Sequence, residues 1–326
     1  MAHAVAVDEW EARGVRLTDV SNALSELRHR AREGGSARTA VMTFIAVAPD
    51  DEHARGASSA LRALGANHPS RIVIFRPHPD AVATLDARAT LFNVDQAGHE
   101  VNFEEISLNV CGQAANHLDS LADAFTISDL PVPVWYVGTI PDVTDALLDV
   151  ATAVLVDSRD AAGAERLRSL MELSRRLPVV DLSWTRLKPW RVLTAALFSE
   201  PTTRPWLNRI ESLVVEGKEG PRHMLAGWAM AQLGLDATRV TLRDARHVRI
   251  TIECADGDRK ATFTVGRSGD DRVLEATTVL PDGPCAPRHL RLADDPLAAS
   301  VAEALVHLEP DAVWQRALAF ATRLES

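Results

Sequence analysis

Between Leu17 and Ala31 the apolar residues Leu17, Val20, Leu24, Leu27 and Ala31 recur at three- and four-residue spacing. This predicts one stripe of an amphipathic helix, ended by Gly34-Gly35. A β-rich run from Thr39 to Ala48, a helical stretch around Ala57 to Ala66 and a short apolar run from Arg71 to Phe75 then give β-α-β order. Between Val101 and Cys111 the apolar parity moves from Val101 and Phe103 to Ile106, Leu108 and Val110, which predicts a bulge near Glu104-Glu105. A helix is expected next, with Ala115, Leu118, Leu121, Ala122 and Phe125 on one face. Two more strand–helix pairs follow: Val132 to Val137 with Thr144 to Val150, and Ala153 to Val156 with Ala164 to Leu177, the last capped from Ser158 or Asp160. Repeated alternation points to a mainly parallel, doubly wound, Rossmann-like sheet with flanking helices.

After about residue 200 the pattern changes. Val248, Ile250, Ile252 and Cys254 alternate with polar residues, Asp256-Gly257-Asp258 can turn the chain, and Thr262 to Val265 and Arg272 to Val279 continue the alternation as an antiparallel meander. A helix from about Pro221 to Leu233 precedes it. Pro281 to Pro287 reads as loop, and helices are expected around Pro296 to Leu308 and Asp311 to Leu324. The reading is therefore α/β, with a Rossmann-like domain over residues 1–200 and an α+β domain with an antiparallel sheet over residues 201–326.

Composition narrows the function. The 326 residues are 46% hydrophobic and 25% charged, the balance of a globular protein, and the formal net charge of -10 disfavours nucleic acid and anionic membrane surfaces as partners. No apolar run approaches a membrane span and the first ten residues lack a basic, then apolar, leader pattern, so a cytoplasmic location is expected. Three scattered cysteines form neither a zinc pattern nor a disulfide framework, and no metal or cofactor is expected. The glycine-rich dinucleotide and Walker loops, the nucleophile-elbow serine and the HExxH helix are all missing from the sequence, which favours a binding protein over an enzyme.

Several residues remain as candidates. Cys111 falls where a strand gives way to a helix, an environment that can lower a thiol pKa, and Cys285 sits in a proline- and glycine-rich loop; either is a redox candidate, or a buried small hydrophobe in the case of Cys111. His68, Ser70 and Arg71 join a helix to a strand and could grip a phosphate or carboxylate, or form a proline-stiffened turn with Pro69. Asp129 and Trp135 bracket a stiff entry into a strand. Trp184, Leu187, Trp190 and Thr194 share a helical face flanked by Arg186 and Arg191, the composition of an interface hot spot and equally that of a tryptophan-rich interdomain core with arginines in local ion pairs. Pro189 is expected to begin a helix after a separate turn.

These stretches, His68-Pro69-Ser70-Arg71, Asp129-Leu130-Pro131-Val132 with Trp135, and Asp181 with Trp184, Arg186, Trp190 and Arg191, resemble the OpcA family. Leu225-Ala226-Gly227-Trp228 and Leu308-Glu309-Pro310-Asp311 extend the resemblance nearly end to end. It implies an assembly protein of glucose-6-phosphate dehydrogenase, a partner that promotes the active oligomer and so feeds the oxidative pentose phosphate pathway. No catalytic residue comes with it. The partner-binding candidates are then Asp129, Trp135, Trp184, Arg186, Trp190 and Arg191. A competing reading is an enzyme or sensor that binds a sugar phosphate or nucleotide in the α/β crevice, with His68, Ser70 and Arg71 around the anion.

Overall fold

Runs of β-branched and aromatic residues with no polar phase, such as Met42–Val47 and Ala153–Val156, are buried along their whole length. Strands of this kind need cover on both faces, and they form the centre of a sheet. The computed structural model describes residues 4–33, 40–65, 69–96, 99–160 and 164–324. The chain forms two units, one of Met1–Val156, Arg176–Val180 and Ala304–Glu309, the other of Asp157–Arg175, Asp181–Glu303 and Pro310–Ser326.

The first unit carries β1 (Val5–Ala12), α1 (Leu17–Glu33), β2 (Met42–Val47), α2 (Asp51–Arg62), β3 (Ser70–His78), β4 (Leu85–Gln96), β5 (His99–Cys111), α3 (Leu118–Asp123), β6 (Pro133–Tyr136) and β7 (Ala153–Val156). After α4 (Ala164–Arg176), β8 (Val179–Asp181) completes an eight-stranded sheet of order β1-β4-β5-β3-β2-β6-β7-β8. From β5 through β7 the ladders are parallel, whereas β1 and β4 add an antiparallel edge. The mixed α/β architecture is as expected, but this edge has no counterpart in the sequence reading. The helix expected at Thr144 to Val150 is a short 3-10 turn, Ala146–Asp149, begun by the Asp145 side chain accepting from the Leu147 N–H. Gly34-Gly35, the expected stop of α1, lies outside the described residues.

The bulge expected at Glu104-Glu105 is not present. The β4–β5 register runs without a shift from Leu85↔Val110 to Gln96↔His99. The break in apolar parity instead comes from two buried carboxylates, one on each face of an unbroken strand. Glu104 accepts a bidentate pair from Arg28 of α1, at 3.0 and 2.8 Å, and a third bond from Arg71 at 2.5 Å. Glu105 accepts from Ser58 and from both arms of the Arg62 fork, all supplied by α2. Adjacent residues of a strand point to opposite sides, so α1 and α2 cover opposite faces of the sheet. Gly65, just after α2, lets the chain close on Phe103, since a Cβ there would stand 2.3 Å from the ring.

The second unit contains α5 (Leu182–Arg186), α6 (Lys188–Leu197), β9 (Ile210–Gly217), α7 (Glu219–Leu233), β10 (Val240–Asp244), β11 (Arg249–Asp256), β12 (Arg259–Arg267), β13 (Val273–Leu280), β14 (Gly283–Pro284) and β15 (Arg288–Arg291). Helices α8 (Pro296–Val306) and α9 (Ala312–Ala321) follow. Strands β9 to β13 make the antiparallel meander around Gly257, whose φ of 62° suits a glycine in a tight turn. One pairing departs from it: β10 lies parallel to β9, with α7 as the crossover between them. α7 crosses α9 at Gly227, where a Cβ would come within 2.2 Å of the Ala317 carbonyl oxygen. The close approach of two helix backbones explains why a glycine is needed in the middle of a buried helix.

Candidate functional site

The tryptophan–arginine segment is built outward from Asp181. Fully buried, its Oδ1 accepts from the Ser183 N–H that opens α5 and from the Ser158 N–H, both at 2.9 Å, while Oδ2 accepts from Trp314 Nε1 at 3.2 Å. Burial, and then the nearby charge of Asp157, pushes its pKa above the ordinary carboxylate value. Arg186 closes α5 and pairs with the buried Asp157 at 2.6 and 2.5 Å. α6 then starts with Pro189 in its first turn, as the sequence predicts, because the missing N–H is not needed there. Trp184 donates from Nε1 to Asp311 at 2.8 Å, and Trp190 from Nε1 to the Val248 carbonyl at 3.1 Å. Both rings are buried. Arg191 stacks on Trp184. The rings belong to the interior of this unit, and the cations hold local partners.

Beside the segment lies a cleft of about 490 Å³. Leu187, Pro189, Trp190, Pro221 and Pro296 give it an apolar floor, and Arg159, Arg186, Lys188, Lys218, Arg246 and Arg267 surround that floor with positive charge. Glu303 is the carboxylate of the lining, and it is taken up by Lys188. In a chain of net charge -10 this is a local reversal of sign. Arg186 is neutralised by Asp157, and Arg159 lies 3.5 Å from the same carboxylate. Arg267 donates to the Asp271 carbonyl. Lys218 and Arg246 are exposed, and among the described residues neither side chain has a hydrogen-bond or ion-pair partner.

The other candidates are dispersed. Trp135 is buried in β6 between Ala46 and Leu155 of the neighbouring strands. Asp129 is exposed in the loop after α3, with a φ of 65°. His68 lies outside the described residues. Ser70 is buried, and the Arg71 guanidinium donates through Nε to Glu104 and through Nη1 to the Phe125 carbonyl at 2.7 Å. Cys111 is buried at the end of β5 and leads into a five-residue 3-10 turn instead of an α-helix N-terminus; Cys285 is exposed. Lys218, Arg246 and Arg267 were not singled out by the sequence. The Gly217-Lys218-Glu219-Gly220 turn after an apolar strand was the signal that could have found the first of them.

Fold and cleft define a two-unit α/β protein whose second unit has a built, cation-rimmed cavity and an enclosed tryptophan–arginine network. Residues 61–173 match the family described as the N-terminal domain of the glucose-6-phosphate dehydrogenase subunit, and residues 177–318 the one described as its C-terminal domain. The chain belongs to the OpcA family that these two domains define. A putative OxPP cycle protein OpcA from Synechocystis is 25% identical over 216 residues, 62% of this chain and 44% of that one. Its counterpart from Nostoc punctiforme is 30% identical over 141 residues, 40% of this chain and 30% of that one. The matched region thus spans less than half of the length of these curated relatives. Among solved structures, a probable dehydrogenase from Thermotoga maritima aligns with 88% of this chain and 95% of its own at 8% identity and a TM-score of 0.34, a likeness too slight to carry an argument.

Proposed function

We propose that this chain is a non-catalytic partner of glucose-6-phosphate dehydrogenase that favours the enzyme's active oligomer and thereby supports the oxidative pentose phosphate pathway. The observation that carries this reading is the pair of family matches, whose descriptions name a subunit of that dehydrogenase on both sides of residue 175. The physical requirement is modest. A partner that binds the active oligomer tenfold better than the inactive form shifts the equilibrium by about 1.4 kcal/mol, without contributing a reacting group. Asp129 is the exposed member of the candidate contacts, and we propose it as a direct contact of the partner.

The test is a titration of the dehydrogenase from the same source with this chain, following activity and, by light scattering, mass. The expected result is a rise in both that saturates at a fixed ratio of the two proteins. Activity and mass that stay constant through excess chain would overturn the proposal.

A further inference from the structure

We propose that the cleft of the second unit is a binding site for a nucleoside phosphate. The first support is topological. β9 and β10 are parallel and end together, Asp244 opposite Gly217, with α7 connecting them. Ligands of parallel βαβ units sit beyond the carboxyl ends of the strands, where a helix N-terminus presents positive potential. Lys218 and Arg246 leave those two strand ends as neighbours, since the Ala245 N–H donates to the Gly217 carbonyl at 3.3 Å. Lys218 also stands at the N-terminus of the fifteen-residue α7, which no side chain caps. The turn is tightly built: Gly217 has a φ of 145°, and a Cβ on Gly220 would fall 1.8 Å from the Ser158 carbonyl oxygen.

The second support is chemical. Lys218 and Arg246 face solvent without a counter-charge among the described residues, while the neighbouring cations Arg186 and Lys188 are matched by Asp157 and Glu303. The exposed cations of the rim can pair with an anion, and the apolar floor around Trp190 can pack against a flat apolar group. Inorganic phosphate would satisfy only the rim, and a neutral ring only the floor. A nucleoside phosphate satisfies both, and the cavity of about 490 Å³ falls in the usual range for small-molecule sites.

The experiment is calorimetric titration of the full chain with ADP, GDP and NADP, alongside adenosine, inorganic phosphate and a hexaglutamate peptide. At least one of the three nucleotides is expected to bind saturably, about tenfold or more tighter than adenosine or phosphate. In the double variant Lys218→Ala, Arg246→Ala that affinity should fall by about tenfold or more, with circular dichroism and the unliganded melting temperature unchanged. Three outcomes would each overturn the site: no heat from any nucleotide at about 1 mM, phosphate binding as tightly as the nucleotide, or nucleotide binding undiminished in the folded double variant. Binding of hexaglutamate in place of nucleotides would overturn it too, and would mark the cleft as a seat for an acidic peptide. The dehydrogenase is absent from this assay, so its outcome is independent of the proposed partnership.

Discussion

The guanidinium of Arg191 lies 3.4 Å from the centroid of the Trp184 ring and donates through Nη2 to the Trp184 carbonyl at 3.1 Å, so one cation holds both the ring and the backbone of the same residue. Burial lowers its pKa to about 10, opposed by the charges of Asp311 and Asp181, and it stays cationic at neutral pH. Its Nε is buried with no acceptor, so the contact with the indole face adds to the single hydrogen bond that Nη2 makes. Arg191→Met, which keeps much of the volume, is expected to cost about 1–2 kcal/mol and to shift the tryptophan emission. Urea unfolding followed by fluorescence measures both. An unmoved midpoint would mean that the stack contributes nothing to stability.

The Glu104 carboxylate, shared by Arg28 and Arg71, predicts a larger loss. Glu104→Gln keeps the shape but leaves two guanidinium groups facing a neutral amide in a buried strand. The expected cost is about 3–5 kcal/mol, the usual result of breaking a buried ion pair from one side. Glu104→Gln combined with Arg71→Met should recover part of that loss, because one of the two orphaned charges is then removed. Denaturation of both variants checks the difference.

His223 predicts an acid-sensitive second unit. It is buried in α7 with Nδ1 donating to the Glu219 carbonyl at 2.7 Å, and burial lowers its pKa below the ordinary value of 6.5, with Arg222 adding to the effect. The folded state therefore binds fewer protons than the unfolded chain in the interval below pH 6.5. Stability from this group is complete above that pH and declines as the pH falls through the interval toward the folded pKa. Unfolding free energy measured from pH 7 to pH 5 should drop in the wild type and drop less in His223→Gln. Equal slopes would assign the acid sensitivity to other groups.

The three cysteines should differ in reactivity. Cys285 is exposed, Cys111 and Cys254 are buried, and burial pushes the Cys254 thiol up to about 12. A thiol reagent at pH 8 should modify one cysteine per native chain, at Cys285, and all three after denaturation. Mass spectrometry of the digested native adduct locates the label. Fast labelling at Cys111 would show that the end of β5 opens readily.

Much of the fold was legible because local patterns agree with tertiary needs. β2, β6 and β7 announce themselves as short apolar runs, α1 as a stripe, and the β11–β12 hairpin as alternation around Gly257. Asp311 caps α9 through the Val313 and Trp314 N–H groups, at the start of the helix expected from Asp311 to Leu324. Less was legible where a residue's partner is remote. β4 mixes Asp86, Arg88 and Asn93 with apolar residues, and its pairing with β1 joins positions more than seventy residues apart. The Glu104-Glu105 step looked like a bulge because periodicity records polarity but not whether an arginine from a distant helix neutralises it.

The same distinction governs the candidate site. The sequence by itself determined that Trp184 and Arg186 precede a turn and that Trp190 and Arg191 follow the Pro189 start of the next helix, because spacing and that start are local properties. It also determined the family. Only the tertiary structure decided that the rings point inward, since their partners Asp311 and Val248 stand more than fifty positions away. Likewise, Lys218 and Arg246 become neighbours only when β10 is laid parallel to β9, with Asp244 opposite Gly217 in the ladder. Local periodicity specifies what each element is; long-range pairing and the desolvation of charge specify which residues meet.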